Sequence, residues 1–149
     1  MNIQILSEAA AKKMLTDNAF PVHTAVVCFT DGEQTMDYSS VTDRVFCADV
    51  PDISMDDLTD CKYTVDDFAA AMRAEEMAQF ILDAQRDGYD FICQCTYGES
   101  RSAAAAAAIR EYFTHDGIQV FADYRYCPNQ LVFNVLYDAM CIKTKKREV

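Results

Sequence analysis

A cysteine, a glycine and an arginine lie close together in the segment CTYGESRS, which spans residues 95–102. Cys95 ends a short apolar run, Gly98 allows the backbone to bend, and Arg101 opens an alanine-rich stretch that predicts a helix. A loop that runs from a strand into a helix directs main-chain N–H groups and the positive end of the helix dipole at an anion. The same field lowers the pKa of a thiol, so Cys95 is a candidate nucleophile.

The residues around Cys95 each have an expected part in such chemistry. The Arg101 guanidinium matches two oxygens of a phosphate group, and the Ser102 hydroxyl is expected to hydrogen-bond the sulfur. We expect the phosphate-binding residues to be Thr96, Tyr97, Gly98, Glu99, Ser100 and Arg101. The Cys-x5-Arg spacing alone is weak support, because the chain has seven cysteines. The apolar strand before the loop and the helix after it favour this interpretation over a buried structural cysteine.

At these residues the chain resembles the protein tyrosine phosphatase superfamily, and most of all its compact, dual-specificity-like bacterial branch. The loop of that branch reads Cys-x-x-Gly-x-Ser-Arg-Ser, which matches CTYGESRS, and the resemblance covers about residues 24–140. It implies a phosphomonoester hydrolase, a protein tyrosine or dual-specificity phosphatase, that forms a phosphocysteine and needs no metal or cofactor. The implied substrate is a phosphorylated protein or a small phosphomonoester.

The resemblance also implies an aspartate upstream of the nucleophile that protonates the leaving oxygen. An acidic, irregular stretch runs from Asp49 to Asp60, and its start, VFCADVPD, is similar to the strand–Asp–Pro pattern of the family. We predict that Asp49 is the general acid, with Asp52 as the alternative. The other carboxylates of this stretch are expected to be solvated.

One residue departs from the pattern of the family. Most members have histidine before the nucleophile, whereas this chain has Gln94. The departure leaves open a catalytically weak or inactive relative that only binds phosphate. A rhodanese-like sulfurtransferase is a further alternative, although its loops are usually shorter and fit the Ser-Arg-Ser ending less well.

The composition limits the class of protein and its partners. A chain of 149 residues predicts a single domain, residues 1–149. Its net charge of -11 argues against nucleic acid or an anionic membrane as the main partner. An odd number of cysteines and no secretory segment indicate a reduced, cytoplasmic protein. The cysteines form no paired CxxC pattern with histidines, so we expect no metal site.

Alternating strand and helix patterns predict an α/β fold, with a central, mainly parallel sheet of four to five strands flanked by helices. Strands are predicted at residues 2–6, 23–29, 43–48 and 90–94. Helices are predicted at residues 7–15, 64–86 and 100–113, with a last helix beginning at Pro128 and Asn129. A short extended piece is predicted at residues 118–121.

Overall fold

The computed structural model of the chain describes residues 1–32, 34–61 and 63–148. No helix in these ranges is both long enough and apolar enough to cross a membrane. In chain order, the elements are β1 (Ile3–Ser7), α1 (Glu8–Thr16), β2 (Thr24–Thr30), β3 (Val45–Asp49), α2 (Met55–Cys61), α3 (Val65–Met72), α4 (Ala74–Arg86), β4 (Asp90–Cys95), α5 (Arg101–Thr114), α6 (Ile118–Ala122) and α7 (Gln130–Arg147).

The four strands form one parallel sheet in the order β1-β4-β2-β3, which confirms the predicted fold class with four strands. β4 lies between β1 and β2, and its last residue, Cys95, pairs with Ser7. The carboxyl ends of parallel strands meet at one edge of a sheet, where ligands bind in open α/β folds. Thr30, Asp49 and Cys95 therefore end their strands at the same edge.

Helix α5 is the central helix on one face of the sheet. Its six consecutive alanines, residues 103–108, are all fully buried. Alanine is small and favours helix, so this segment contacts β1, β2 and β4 on one side and α6 and α7 on the others. The alanine segment of α5, which follows the 95–102 segment, is therefore enclosed by protein.

The side chains of β4 alternate between the two faces of the sheet, as strand geometry requires. Phe91, Cys93 and Cys95 belong to the core beneath α5 and α7. Ile92 belongs to a second apolar layer, together with Val26 and Tyr38. Because both faces are covered, the strand reads as an almost continuous apolar run, and Gln94 is its buried exception.

The single helix predicted over residues 64–86 is wrong, because the chain breaks at Arg73. Arg73 adopts a left-handed conformation with φ of 55°, and its N–H closes onto the carbonyls of Ala69 and Ala70. No glycine or proline announces this break in the sequence. The Arg73 guanidinium carbon lies over the Phe46 ring, 4.6 Å from the ring centroid, and α3 contacts both β3 and α7. Tertiary packing therefore overrides the local helix pattern.

Two further predictions about elements are corrected. The acidic stretch after Asp49 is not wholly irregular but contains α2, which begins beyond a reciprocal cap between Ser54 and Asp57. The extended piece predicted at residues 118–121 is helix α6. Gly117, its N-cap, donates its N–H to the Glu111 carboxylate at 3.1 Å, and Val120 packs against α5. Both helices depend on contacts that a short apolar pattern does not reveal.

Candidate active site

Residues 95–101 form a loop between β4 and α5, here called the 95–101 loop. Main-chain N–H groups outside the loop donate hydrogen bonds to three of its carbonyls. The Glu8 N–H donates to the Thr96 carbonyl (3.1 Å), the Cys127 N–H to the Glu99 carbonyl (2.9 Å) and the Asn129 N–H to the Ser100 carbonyl (3.2 Å). The described residues contain no cis peptide bond, and in a trans peptide the carbonyl and the following N–H point in opposite directions. The N–H groups of residues 97, 100 and 101 therefore point away from these donors, toward the inner side of the loop.

The tight bend of the loop requires Gly98. Its φ is +70°, a left-handed conformation that residues other than glycine seldom adopt. A Cβ atom at this position would lie 2.5 Å from the main-chain nitrogen of Ser7. The loop is therefore packed directly on the end of β1.

The Cys95 thiol is almost completely buried, with 2% of the residue exposed. Its Sγ lies 3.0 Å from the Ser102 hydroxyl oxygen, which comes from the first turn of α5. Burial by itself raises the pKa of the Cys95 thiol. The Ser102 hydroxyl, the main-chain N–H groups of Ser102 and Gly98, and the charge of Arg101 outweigh burial, so that this pKa lies below its ordinary value. The thiol is thus prepared to act as an anion.

The Arg101 side chain is buried at the base of the loop, with 5% of the residue exposed. Its Nη1 donates to the Val50 carbonyl at 2.7 Å, and its Nη2 contacts the Thr96 hydroxyl at 3.5 Å. Its Nε is buried and has no acceptor among the described residues. A buried cation with an unpaired donor is costly, and an oxyanion bound inside the loop would supply an acceptor for it.

Asp49 lies exposed at the carboxyl end of β3. Its Oδ1 accepts hydrogen bonds from the Thr30 hydroxyl at 3.2 Å and from the Gly32 main-chain N–H at 2.8 Å. The next residue, Val50, is the one whose carbonyl binds Arg101. The structure therefore places the Asp49 segment beside the base of the 95–101 loop.

Asp52 contacts the loop directly. Its Oδ1 accepts hydrogen bonds from the Ser100 hydroxyl and from the Asn129 side-chain amide, both at 2.7 Å. The oxygen of the same Asn129 amide caps α7 by accepting from the Val132 N–H at 3.0 Å. Asp52 and Asn129 thus join the segment after β3 to the loop and to α7.

The remaining loop side chains point outward. Tyr97 is 80% exposed and Glu99 is exposed, so any part that they have in anion binding is a main-chain part. Among the described residues, no group of three or more His, Cys, Asp or Glu side chains is arranged to hold a metal ion.

Two contributions to the site were missed by sequence reasoning. The Val50 carbonyl carries no side-chain signal, because a main-chain group binds Arg101. Tyr38 donates its hydroxyl to the Gln94 side chain at 2.9 Å from 56 residues away in the chain. No local motif announces a contact of that separation.

Comparison with solved structures agrees with this geometry at the level of the fold. Similar structures include human DUSP28, with 17% identity, 97% of this chain and 94% of that chain covered, and a TM-score of 0.60. For PTPMT1 in complex with PI(5)P, the identity is 14%, the match covers 98% of this chain and 94% of that chain, and the TM-score is 0.54. For the Cydia pomonella PTP-2 phosphatase, the identity is 16%, the match covers 93% of this chain and 85% of that chain, and the TM-score is 0.53.

The chain therefore has the fold of the protein tyrosine phosphatase superfamily, which confirms the resemblance at that level. Its place in a bacterial branch remains a prediction. No family model matches the sequence. No curated protein matches it either.

Proposed function

We propose that the protein is a cysteine-dependent phosphatase that hydrolyses phosphomonoesters on proteins through a phosphocysteine intermediate. One observation carries the proposal: the Cys95 thiol, whose pKa is lowered, shares a loop with a buried Arg101 guanidinium that keeps an unpaired donor. A nucleophile and a fork of donors around one concave main-chain loop are what phosphoryl transfer to sulfur requires.

In the first step, the Cys95 thiolate attacks phosphorus and forms an S–P bond while the P–O bond to the leaving group breaks. Arg101 and the inward N–H groups of the loop hold the three equatorial oxygens, where negative charge is concentrated in the transition state. The electron pair of the broken bond goes to the leaving oxygen, which takes a proton from a general acid.

In the second step, water attacks the phosphocysteine, and the S–P bond breaks to release inorganic phosphate. The departing sulfur regains its negative charge. The Ser102 hydroxyl, 3.0 Å from Sγ, stabilises that charge with a hydrogen bond. The same aspartate that gave its proton in the first step accepts a proton from water in the second.

For the general acid we propose Asp49, with Asp52 as a positioning residue. Asp52 uses its Oδ1 to bind Ser100 and Asn129, which fastens the segment after β3 to the loop. Asp49 lies three residues earlier at the exposed sheet edge, beside the residue whose carbonyl binds Arg101. In this arrangement Asp52 sets the position of the segment and Asp49 supplies the proton.

The Asp49→Asn and Asp52→Asn variants separate these roles. The measurement is kcat/KM, which reports only the steps up to release of the phenol, for a series of aryl phosphates whose leaving phenols range from acidic to weakly acidic. Loss of the general acid lowers kcat/KM by about 10²-fold for the weakly acidic phenols and little for the acidic ones. We expect this steep dependence for Asp49→Asn and a uniform decrease for Asp52→Asn. The reverse pattern assigns the proton transfer to Asp52.

For the substrate we propose a phosphorylated side chain of a protein. The solved PTPMT1 complex contains a phosphoinositide. This chain carries an exposed Glu99 in the loop and a net charge of -11, which disfavours a headgroup with several phosphates. The groove beside Ser100, with a volume of about 430 Å³, is also acidic, because Asp52, Asp56 and Asp57 line it. Competition between phosphopeptides and soluble phosphoinositide headgroups for hydrolysis tests the preference.

The direct test of the proposed function is capture of the intermediate. Incubation with an aryl phosphate, followed by rapid acid quench and peptide mass analysis, is expected to show phosphate on the Cys95 peptide. A protein that binds inorganic phosphate but never releases the phenol is the inactive phosphate-binding relative. Thiosulfate-dependent turnover of cyanide instead identifies a sulfurtransferase.

The proposed location is the cytoplasm, or another reducing compartment. The thiols of Cys28, Cys47, Cys93, Cys95, Cys127 and Cys141 are all free. A nucleophilic thiolate is readily oxidised, so its activity depends on a reducing environment.

A further inference from the structure

Gln94, immediately before the nucleophile, is buried and polar in a strand that is otherwise apolar. Only 4% of the residue is exposed. Its Nε2 donates to the Cys95 carbonyl at 3.1 Å, and its Oε1 accepts from the Tyr38 hydroxyl at 2.9 Å. Both ends of the amide are therefore engaged in the interior, where an unpaired polar group is costly.

The orientation of the amide follows from its partners. A main-chain carbonyl only accepts hydrogen bonds, so the end of Gln94 that faces the Cys95 carbonyl must be the NH₂ group. The oxygen that remains requires a donor, and the Tyr38 hydroxyl is that donor. Tyr38 is 2% exposed and packs near Phe20, with ring centroids 6.1 Å apart. The second possible acceptor for this hydroxyl, the Met36 sulfur at 3.7 Å, is the weaker one.

The direction of the Cys95 carbonyl determines where the next N–H points. Gln94 and Cys95 are neighbours in β4, so their side chains lie on opposite faces of the sheet. The carbonyl of Cys95 is held by Gln94, and the N–H of Thr96, in the same trans peptide, points in the opposite direction. Gln94 approaches that carbonyl from the face opposite the Cys95 sulfur, so a carbonyl turned toward Gln94 turns this N–H toward the face of the sulfur.

We propose that Tyr38 and Gln94 are positioning residues that hold the Cys95–Thr96 peptide so that its N–H faces the thiolate and the bound phosphate. They act through two neutral hydrogen bonds. A loop N–H that faces an anion lowers the energy of both the thiolate and the phosphoryl transition state. Small displacements of such groups are costly, since a shift of about 1 Å can lower a rate by about 10²-fold.

The groups around this pair keep it neutral. Burial, followed by the nearby Cys28, Cys47 and Glu8, raises the pKa of the Tyr38 hydroxyl well above its ordinary value. Tyr38 therefore remains a donor throughout the physiological pH range. The pair differs from an imidazole, whose charge changes between about pH 5 and 8. The support for Cys95 thus requires no protonation change of its own.

Two substitutions test the proposal without relying on turnover. Gln94→Met keeps a side chain of similar length but removes both hydrogen bonds, and Tyr38→Phe removes only the hydroxyl. The matched control is Ile92→Val, which trims a buried side chain in the same strand and the same apolar layer. The first readout is the rate of Cys95 alkylation by iodoacetamide against pH, followed by peptide mass analysis. The second is the affinity of each Cys95→Ser double variant for inorganic phosphate.

We expect Gln94→Met to move the alkylation midpoint of Cys95 upward by about one pH unit and to weaken phosphate binding about tenfold. Tyr38→Phe, which leaves the Gln94 amide in place, is expected to cause smaller changes in the same direction. Ile92→Val is expected to lower the melting temperature alone. The proposal is overturned if Gln94→Met and Tyr38→Phe, like Ile92→Val, lower the melting temperature but leave both readouts unchanged.

The inference rests on the proposed function only for its effect on rate. There we expect a decrease of about tenfold in kcat for Gln94→Met with an aryl phosphate, and a smaller change in KM. If the unsubstituted protein hydrolyses no phosphate ester, the proposed function fails, while alkylation and phosphate binding still report on the peptide. If Gln94→Met does not fold, Tyr38→Phe decides the question, because its ring keeps the packing.

Discussion

Two thiols of β4, Cys93 and Cys95, are two residues apart on the same face of the sheet and yet have opposite properties. Both are buried, with 0% and 2% of the residue exposed. Burial, and then the proximity of Cys95, raises the pKa of the Cys93 thiol. The pKa of the Cys95 thiol is lowered, because hydrogen bonds from Ser102 and Gly98 and the charge of Arg101 outweigh burial.

The difference shows how local the field of the loop is. Cys93 lies in the middle of the strand, where β1 and β2 pair with the main chain on both sides and the side chain meets apolar core. Cys95 lies where the strand ends and the N–H groups of the loop become available to an anion. A shift of two residues along the strand therefore changes a thiol whose pKa is raised into one whose pKa is lowered.

The largest effect is expected from substituting each thiol in turn. Cys95→Ser should lower kcat for an aryl phosphate by about 10⁴-fold or more while phosphate binding persists, because a serine hydroxyl stays protonated. Cys93→Ala should leave kcat within about twofold and lower the free energy of unfolding by about 1 kcal/mol. Steady-state kinetics and urea denaturation measure both. Retained turnover in Cys95→Ser contradicts the mechanism.

A second prediction concerns the two arginines of α5. Arg101→Lys removes the planar fork and should lower kcat/KM by about 10²-fold or more, since lysine cannot contact two phosphate oxygens in the same way. Arg110→Lys is the matched control. Arg110 forms an ion pair with Asp116 at 2.6 Å, away from the loop, so we expect almost unchanged kinetics. Equal losses in the two variants indicate a general effect on the helix instead of recognition of phosphate.

The smallest effect is a shift in the pH dependence of the thiol. Because the pKa of Cys95 is lowered, its thiolate forms at lower pH than that of an ordinary cysteine, whose pKa is about 8.5. Alkylation of Cys95 should rise with pH to a plateau with a midpoint below that value. Ser102→Ala should raise the midpoint by about one pH unit, because it removes a hydrogen bond to the thiolate.

Cys93 supplies the internal reference for the same experiment. Its raised pKa and complete burial predict no alkylation over the range in which Cys95 reacts. Alkylation of both thiols at the same pH removes the distinction between the strand end and the strand middle.

Most of the strand and helix pattern was accessible from the sequence, because hydrophobic periodicity and capping residues act over a few positions. The first helix was predicted to begin at residue 7, and Ser7 caps it by accepting the Ala10 N–H at 3.1 Å. The break at Arg73 was not accessible, because a residue without special conformational freedom adopts a left-handed conformation there. A charged residue in a helical pattern carries no sign of such a break, and its ring contact with Phe46 comes from another element.

The amino-acid sequence by itself determined where the 95–101 loop must lie, because Cys95, Gly98, Arg101 and Ser102 stand at the junction of a strand and a helix. Short-range geometry suffices for that conclusion. Only the tertiary structure decided which distant groups hold the loop. Tyr38 reaches Gln94 across 56 positions and Arg101 reaches the Val50 carbonyl across 51. Such contacts depend on how strands pair and on which carbonyls remain unpaired at the sheet edge, and neither follows from the spacing of residues along the chain.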